Sequence, residues 1–203
     1  MAGMFRNLVV PFVAVLLTLA GHAAAAATTD WHMTSGSLTF SGTQQGEPFT
    51  GTFKAFTVKL KFDPAHPEQS QLDVQIDLRS ADSQLEERDA ALQSAEWFDT
   101  ERQPFAQLSA TGGKRLTDGR FELPATLIIH AKQKAIAFPF TWTVNGETAK
   151  LDSVVHLNRL DFDLGTGDWA DPDWVGHDVQ VTVSVTFAAM PPEANVKPSP
   201  TTE

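Results

Sequence analysis

The chain has 203 residues, with 15 Lys and Arg against 25 Asp and Glu, a formal net charge of −10 and no cysteine. A balance this acidic disfavours nucleic acid and anionic membrane as partners, because phosphate contacts need clustered Lys and Arg. The absence of cysteine excludes disulfides, thiolate metal sites and lipid attachment.

The N-terminal stretch MAGMFRNLVVPFVAVLLTLAGHAAAA carries one basic residue, Arg6, then an apolar run from Leu8 to Ala20 and small residues offering Ala-x-Ala choices. That layout predicts a secretory signal peptide over residues 1–26, and the run is short for a membrane span. Cleavage is expected between Ala25 and Ala27, giving an exported, periplasmic protein. An uncleaved anchor is the alternative, which Pro11 and the alanine run disfavour. Without Arg6, the remaining 14 basic and 25 acidic residues leave a net charge of −11. Residues 190–203, MPPEANVKPSPTTE, form a Pro-rich polar tail expected to be disordered. Residues 27–189 suffice for one domain with its own core.

Alternation dominates that domain. After Trp31–Phe40, the stretch Lys54–Phe62 sets Phe56, Val58, Leu60 and Phe62 against Thr57, Lys59 and Lys61. Leu72, Val74, Ile76 and Leu78 follow in the same rhythm. Then the pattern breaks at SADSQLEERDAALQSAEWFD, residues 80–99. Ser83-x-x-Glu86 reads as a capping box, and good helix formers follow. At about 100° per residue Leu85 and Leu92 share a face flanked by Arg88 and Asp89, while Glu86 and Glu87 point to solvent. Arg88 and Asp89 either pair or tie down loop carbonyls, or Arg88 faces a polar ligand head group. Phe105, after Pro104, is expected to point inward.

Strand-like alternation resumes at Phe121, Leu123, Ala125, Leu127 and Ile129, at Ile136, Phe138, Phe140, Trp142 and Val144, and along Val179–Phe187. Leu151–Phe162 completes a set of seven or eight strands, each with one dry face. Asp118-Gly119 and Asn145-Gly146 suit hairpins, so a closed antiparallel barrel or a two-sheet sandwich is predicted. Asn158-Arg159 is read as anchoring a strand end through backbone bonds. Asp161, Asp163, Asp168, Asp171 and Asp173 surround Gly165 and Gly167, but they lack the EF-hand order and its closing Glu, so a hydrated turn is preferred to a calcium site. Trp169 and Trp174 in this loop are candidate rim anchors or a partner patch.

The chain has no G-x-S-x-G elbow, no H-E-x-x-H and no phosphate-binding glycine loop. His32, His66, His130, His156 and His177 are scattered singly. No enzyme activity, cofactor or metal is therefore predicted.

Four stretches carry a resemblance that covers nearly all of residues 31–188. SADSQLEERDAALQSAEWFDTERQPFAQLSA resembles the middle signature of the YceI-like family of exported lipid- and polyisoprenoid-binding proteins. SLTFSGTQQGEPFTGTFKAFTVKLKFDP is similar to the family's opening hairpin, with Gly51, Phe53 and Phe56 in its Gly-x-Phe-x-x-Phe. ATLIIHAKQKAIAFPFTW and LNRLDFDLGTGDW resemble two later segments. Departures are the absent histidine before Thr39-Phe40 and the turn Ala131-Lys132-Gln133-Lys134, both bearing on the head group. GTGDWADPDW looks like the branch found beside membrane cytochrome b561-type proteins, which implies such a cytochrome as a possible partner.

The resemblance implies an all-β fold, a lipocalin-like antiparallel barrel of about eight strands with one short helix over the mouth. It also implies a lumen holding a long-chain isoprenoid, quinone-like or fatty amphiphile. The expected ligand-binding residues are Phe53, Phe56, Val58, Leu60, Leu72, Val74, Ile76, Arg88, Trp97, Phe98, Phe105, Leu127, Ile129, Phe138, Phe140 and Trp142. Trp97 and Phe98 would form a flap at the mouth or simply pack the helix down. With 14 Phe, five Trp and no Tyr, the interior suits hydrocarbon. At about 0.8 kcal/mol per buried CH₂, one isoprene unit contributes roughly 3 kcal/mol before ordering losses, and three or four reach micromolar affinity. Alternation alone leaves a solid aromatic core as an equal alternative. The oligomeric state, monomer or homodimer, is open.

Overall fold

A computed structural model describes residues 29–190; the predicted signal peptide and all of the tail beyond Met190 lie outside them. The strands are β1 Asp30–Gln44, β2 Glu47–Phe53, β3 Phe56–Lys61, β4 Gln71–Asp77, β5 Ala81–Asp82, β6 Phe105–Thr111, β7 Lys114–Arg115, β8 Phe121–Ile129, β9 Lys132–Asn145, β10 Thr148–Asn158 and β11 Asp178–Ala189. Among the described residues one α-helix, α1 Glu86–Gln93, interrupts them, beside four single-turn 3-10 segments. Neighbours run β1-β3-β4-β6-β8-β9-β10-β11, every pair antiparallel, and β1 returns to β11, so eight strands close a barrel. Closure leaves no strand of this ring without a neighbour on each side, although β1–β3 and β9–β10 pair over only part of their lengths. β2 and β5 extend it at one end, and β7 pairs with β8.

Length and register explain the closure. Along one edge β1 pairs with β11 from Trp31–Ala189 to Ser41–Gln180, with a register shift between Met33 and Ser35. Along its other edge, Asp30–His32 pair with β3 and Thr39–Gln44 with β2. A bulge of that kind raises local twist, which a small barrel needs.

Directly opposed residues share a face, so register also decides which side chains point inward. Leu60 faces Leu72, Val58 faces Val74 and Phe56 faces Ile76, all on the inner side. Register corrects the expectation for Phe105. It lies opposite Asp77 while Ala106 lies opposite Ile76, so Ala106, Leu108 and Ala110 take the inner face. Phe105 is 40% exposed, with the Arg79 guanidinium 5.5 Å from its ring centre.

The helix start is corrected too. Gln84 has φ +62, which turns the chain before the helix can begin, so Leu85 with extended backbone is the N-cap. The predicted capping box does not form. Instead the Asp89 carboxylate accepts the Ser83 backbone N–H at 2.7 Å and the Ser83 hydroxyl at 2.6 Å. Leu85 is consequently exposed and only Leu92 of the expected pair is buried. Glu86 and Glu87 are exposed as expected.

The core has two regions. At the end away from α1 the barrel is solid. The Phe62 ring lies 5.0 Å from Phe121, 5.3 Å from Phe140 and 5.0 Å from Trp142. Trp142 also meets Trp31 at 5.0 Å and Phe187 at 5.8 Å. Toward α1 the inner faces no longer meet, and Phe56, Val58, Val74, Ile76, Val179 and Val183 keep part of their surface accessible. Solid core and hollow lumen are thus both realised, one in each half.

Gly51 of β2 shows how tight the junction is. A Cβ there would stand 2.3 Å from Cζ of Phe40, whose ring also packs on Phe53 at 5.0 Å. Gly51→Ala must push that ring toward the lumen and is expected to cost about 1–3 kcal/mol. A urea unfolding midpoint equal to that of the unsubstituted protein would show that the ring moves freely.

Candidate ligand cavity

Between the aromatic plug and α1 lies an enclosed space of about 160 Å³, or about 1420 Å³ with the crevices and mouth included. On β11 its wall runs from Val179 to Phe187, a depth of roughly 20 Å once the rise per residue and strand tilt are allowed for. The wall is hydrocarbon. Among the described residues that line it, Thr43 and Arg159 alone carry a hydroxyl or a charge. Every inward position of β11 from Val179 to Val185 is valine, short enough to leave room, whereas Phe187 below them closes it.

Eleven of the predicted residues line this space: Phe53, Phe56, Val58, Leu72, Val74, Ile76, Trp97, Phe98, Leu127, Ile129 and Phe138. Leu60, Phe140 and Trp142 do not. They face inward but lie within the packed end, where opposing rings leave no gap. Phe105 is on the outside. Arg88 stands at the rim, outside the wall. Its guanidinium lies 4.3 Å from the Phe49 ring centre, and its Nε donates to Gln44 Oε1 at 3.0 Å. It therefore pairs neither with Asp89, whose carboxylate is taken by Ser83, nor with loop carbonyls.

The sequence reading missed the contributions of β1, β10, β11 and the mouth segment, among them Leu38, Phe40, Leu151, Val155, Val183 and Phe162. Alternation marked Leu38 and Phe40 as one face of a strand, but nothing local separates a wall residue from a plug residue. Arg159 is the larger omission, because its role reaches far beyond one strand end.

Arg159 is 3% exposed and gathers the segment after β10 around itself. Its Nε donates to the Gly176 carbonyl at 3.1 Å, its Nη1 to Leu164 at 2.7 Å and also to Gly165, and its Nη2 to Val175 at 2.9 Å and also to Trp169. Five N–H groups thus meet five backbone carbonyls, the full donor capacity of a guanidinium. Burial lowers its pKa from the ordinary arginine value, and no carboxylate pairs with it among the described residues. Carbonyl dipoles, with the Trp97 ring beside them, hold the charge. Asn158 accepts the Leu160 N–H at 3.0 Å, so both residues anchor the strand end, as read from the sequence.

The same segment packs on the flap residues. Trp97 lies 5.3 Å from the Arg159 guanidinium and 6.0 Å from Trp169, and the Trp169 indole donates to Glu96 at 2.8 Å. Gly165, at φ +63, lets the chain pass where a Cβ would come within 2.7 Å of the Trp97 ring. Trp169 is thereby tied down, and Trp174 is left 53% exposed. The aspartates of this loop look to separate partners. Asp163 takes Lys132 at 2.7 Å, which holds its carboxyl below the usual range, Asp161 takes Lys134 at 3.5 Å, and Asp171 accepts the Asp173 N–H.

A closed antiparallel barrel, plugged by aromatics at one end and hollow and hydrocarbon-walled at the other, is a lipocalin-like barrel. The chain belongs to the YceI-like family, whose domain matches residues 28–187. It is 30% identical over 120 residues to the UPF0312 protein of Pseudomonas putida strain F1, covering 56% of this chain and 62% of that protein. The corresponding protein of Azotobacter vinelandii strain DJ is 31% identical over 86 residues, 42% of this chain and 45% of that one. The matches thus span less than two thirds of these curated relatives. Among solved structures, Burkholderia cenocepacia BcnA superposes with a TM-score of 0.72 at 27% identity, over 74% of this chain and 95% of that one. A polyisoprenoid binding domain from Saccharophagus degradans, implicated in plant cell wall breakdown, gives 0.64 at 14% identity over 81% and 99%. At that identity the likeness is one of fold.

Proposed function

We propose that this chain is an exported, periplasmic carrier or sequestering protein that holds one long apolar chain, a polyisoprenoid, quinone-like or fatty amphiphile, and does no covalent chemistry on it. The observation that carries this reading is the wall itself, hydrocarbon over a depth of roughly 20 Å and closed at the bottom by rings. Such a surface rewards length and ignores functional groups, since transfer free energy scales with buried apolar area. The family and the fold shared with a polyisoprenoid binding domain support it. A polar head has no partner inside, because Arg159 is saturated by carbonyls, so the head sits at the mouth. Organic extraction of the purified protein followed by mass spectrometry is expected to release a long-chain lipid in about 1:1 ratio. An extract containing only lipid at trace ratios, from a correctly folded protein, counts against the proposal.

A second reading, a partner module of a membrane cytochrome, is favoured by one feature, the exposed Trp174 beside the mouth. It needs Trp174, not the lumen, to carry function, so Trp174→Ala would remove it while leaving bound lipid unchanged.

A further inference from the structure

The barrel wall is not hydrogen-bonded all the way round. β9 and β10 pair from Asn145–Thr148 to Thr141–Asp152 and no further. Pro139 has no N–H to continue the ladder, and its carbonyl accepts the Ser153 hydroxyl at 2.6 Å instead. Toward the mouth, β9 stays bonded to β8 as far as Lys132–Ile129, and β10 stays bonded to β11 as far as Asn158–Asp178. The two strands therefore separate, each held by its other neighbour. Ile136 and Phe138 on one lip and Val155 and Leu157 on the other line the lumen.

What covers this seam toward the mouth is the turn Arg159–Phe162, with Phe162 buried on the cavity wall. What ties that turn to β9 is a pair of side-chain contacts, Lys132–Asp163 at 2.7 Å and Lys134–Asp161 at 3.5 Å. All four side chains are between 44% and 55% exposed, so both ties are hydrated, screened by salt and individually weak. The mouth is closed in the opposite manner. Opening it means pulling Trp97 and the segment 159–176 off a buried guanidinium whose five bonds have no solvent to replace them.

We propose that the ligand enters and leaves sideways, between β9 and β10, with the Lys132–Asp163 and Lys134–Asp161 pairs as the latch. This rests on the reading of the lumen as a lipid site. Because Asp161 and Asp163 belong to the segment that Arg159 holds, β9 with its lysines is the side that moves, and an extended chain slides past Phe162 with the Arg159 bonds and the aromatic plug left in place. The head group can stay in water throughout.

The cysteine-free chain makes the test direct. Lys134→Cys with Asp161→Cys, bridged by a short bismaleimide, pins the seam. Glu96→Cys with Trp169→Cys, bridged the same way, pins the mouth. Stopped-flow uptake and release of N-phenyl-1-naphthylamine, which brightens in apolar surroundings, reports each. The seam bridge is expected to slow both rates by about an order of magnitude with the amount bound unchanged, while the mouth bridge leaves them alone. Lys132→Glu with Lys134→Glu, or about 0.5 M salt on the unsubstituted protein, is expected to speed uptake several-fold. Rates slowed by the mouth bridge, yet indifferent to the seam bridge and to the charge reversals, overturn the proposal. An unsubstituted protein that never takes up the probe removes the lumen reading itself, and the portal with it.

Discussion

Arg159→Met is expected to destabilise the protein by about 3–5 kcal/mol, near the largest effects that a single substitution produces. Methionine fills much of the volume but offers no donor, so the carbonyls of Leu164, Gly165, Trp169, Val175 and Gly176 lose their partner together. Each stranded buried carbonyl costs about 1–3 kcal/mol in isolation. The sum is not additive, because the segment can open and admit water. For a domain of this size the melting temperature should fall by roughly 10 °C. Arg159→Lys, with three donors on one point, should recover part of the loss. Thermal unfolding followed by circular dichroism decides it. A methionine variant as stable as the arginine protein would mean that the carbonyl cage contributes nothing.

Phe138 offers the second large effect, on binding. It is 5% exposed and lies on β9 in the cavity wall. Phe138→Arg places a charge among hydrocarbon with no acceptor beside it and should abolish lipid co-purification, at some cost in stability. Val183→Trp makes the same test without a charge, because it fills the lumen from β11. Losing room for one isoprene unit removes roughly 3 kcal/mol of transfer, about two orders of magnitude in affinity. Mass spectrometry of the extracted lipid reads both variants. Undiminished lipid in a folded Val183→Trp protein would place the ligand elsewhere.

Phe140 marks the point where a local pattern stops being informative. It sits in the same alternating run as Phe138, two positions along, and the pattern treats them alike. Structure separates them, because Phe138 borders the cavity while Phe140 meets Phe62 and Phe121. Phe105 failed for another reason. Proline before a strand says where it starts, but not which parity faces inward, and pairing of Ala106 with Ile76 settled that. The sequence places Arg159 as a local anchor, and with Asn158 it does fix the strand end. That it also binds carbonyls up to 17 residues away could not be seen, because a loop's path is set by what it packs on.

By itself the sequence determined that this chain is built of strands with one dry face, and that residues 31–188 follow the YceI-like pattern, since alternation and motif spacing are local properties carried by neighbouring residues. Only the tertiary structure decided where the dry faces touch and where they stand apart. That depends on which rings come opposite one another across a barrel, and separation across a barrel is a product of register, strand tilt and side-chain volume together. The short valines of β11 leave room in one half, while in the other the rings of Phe62, Phe121, Phe140 and Trp142 come together and close it.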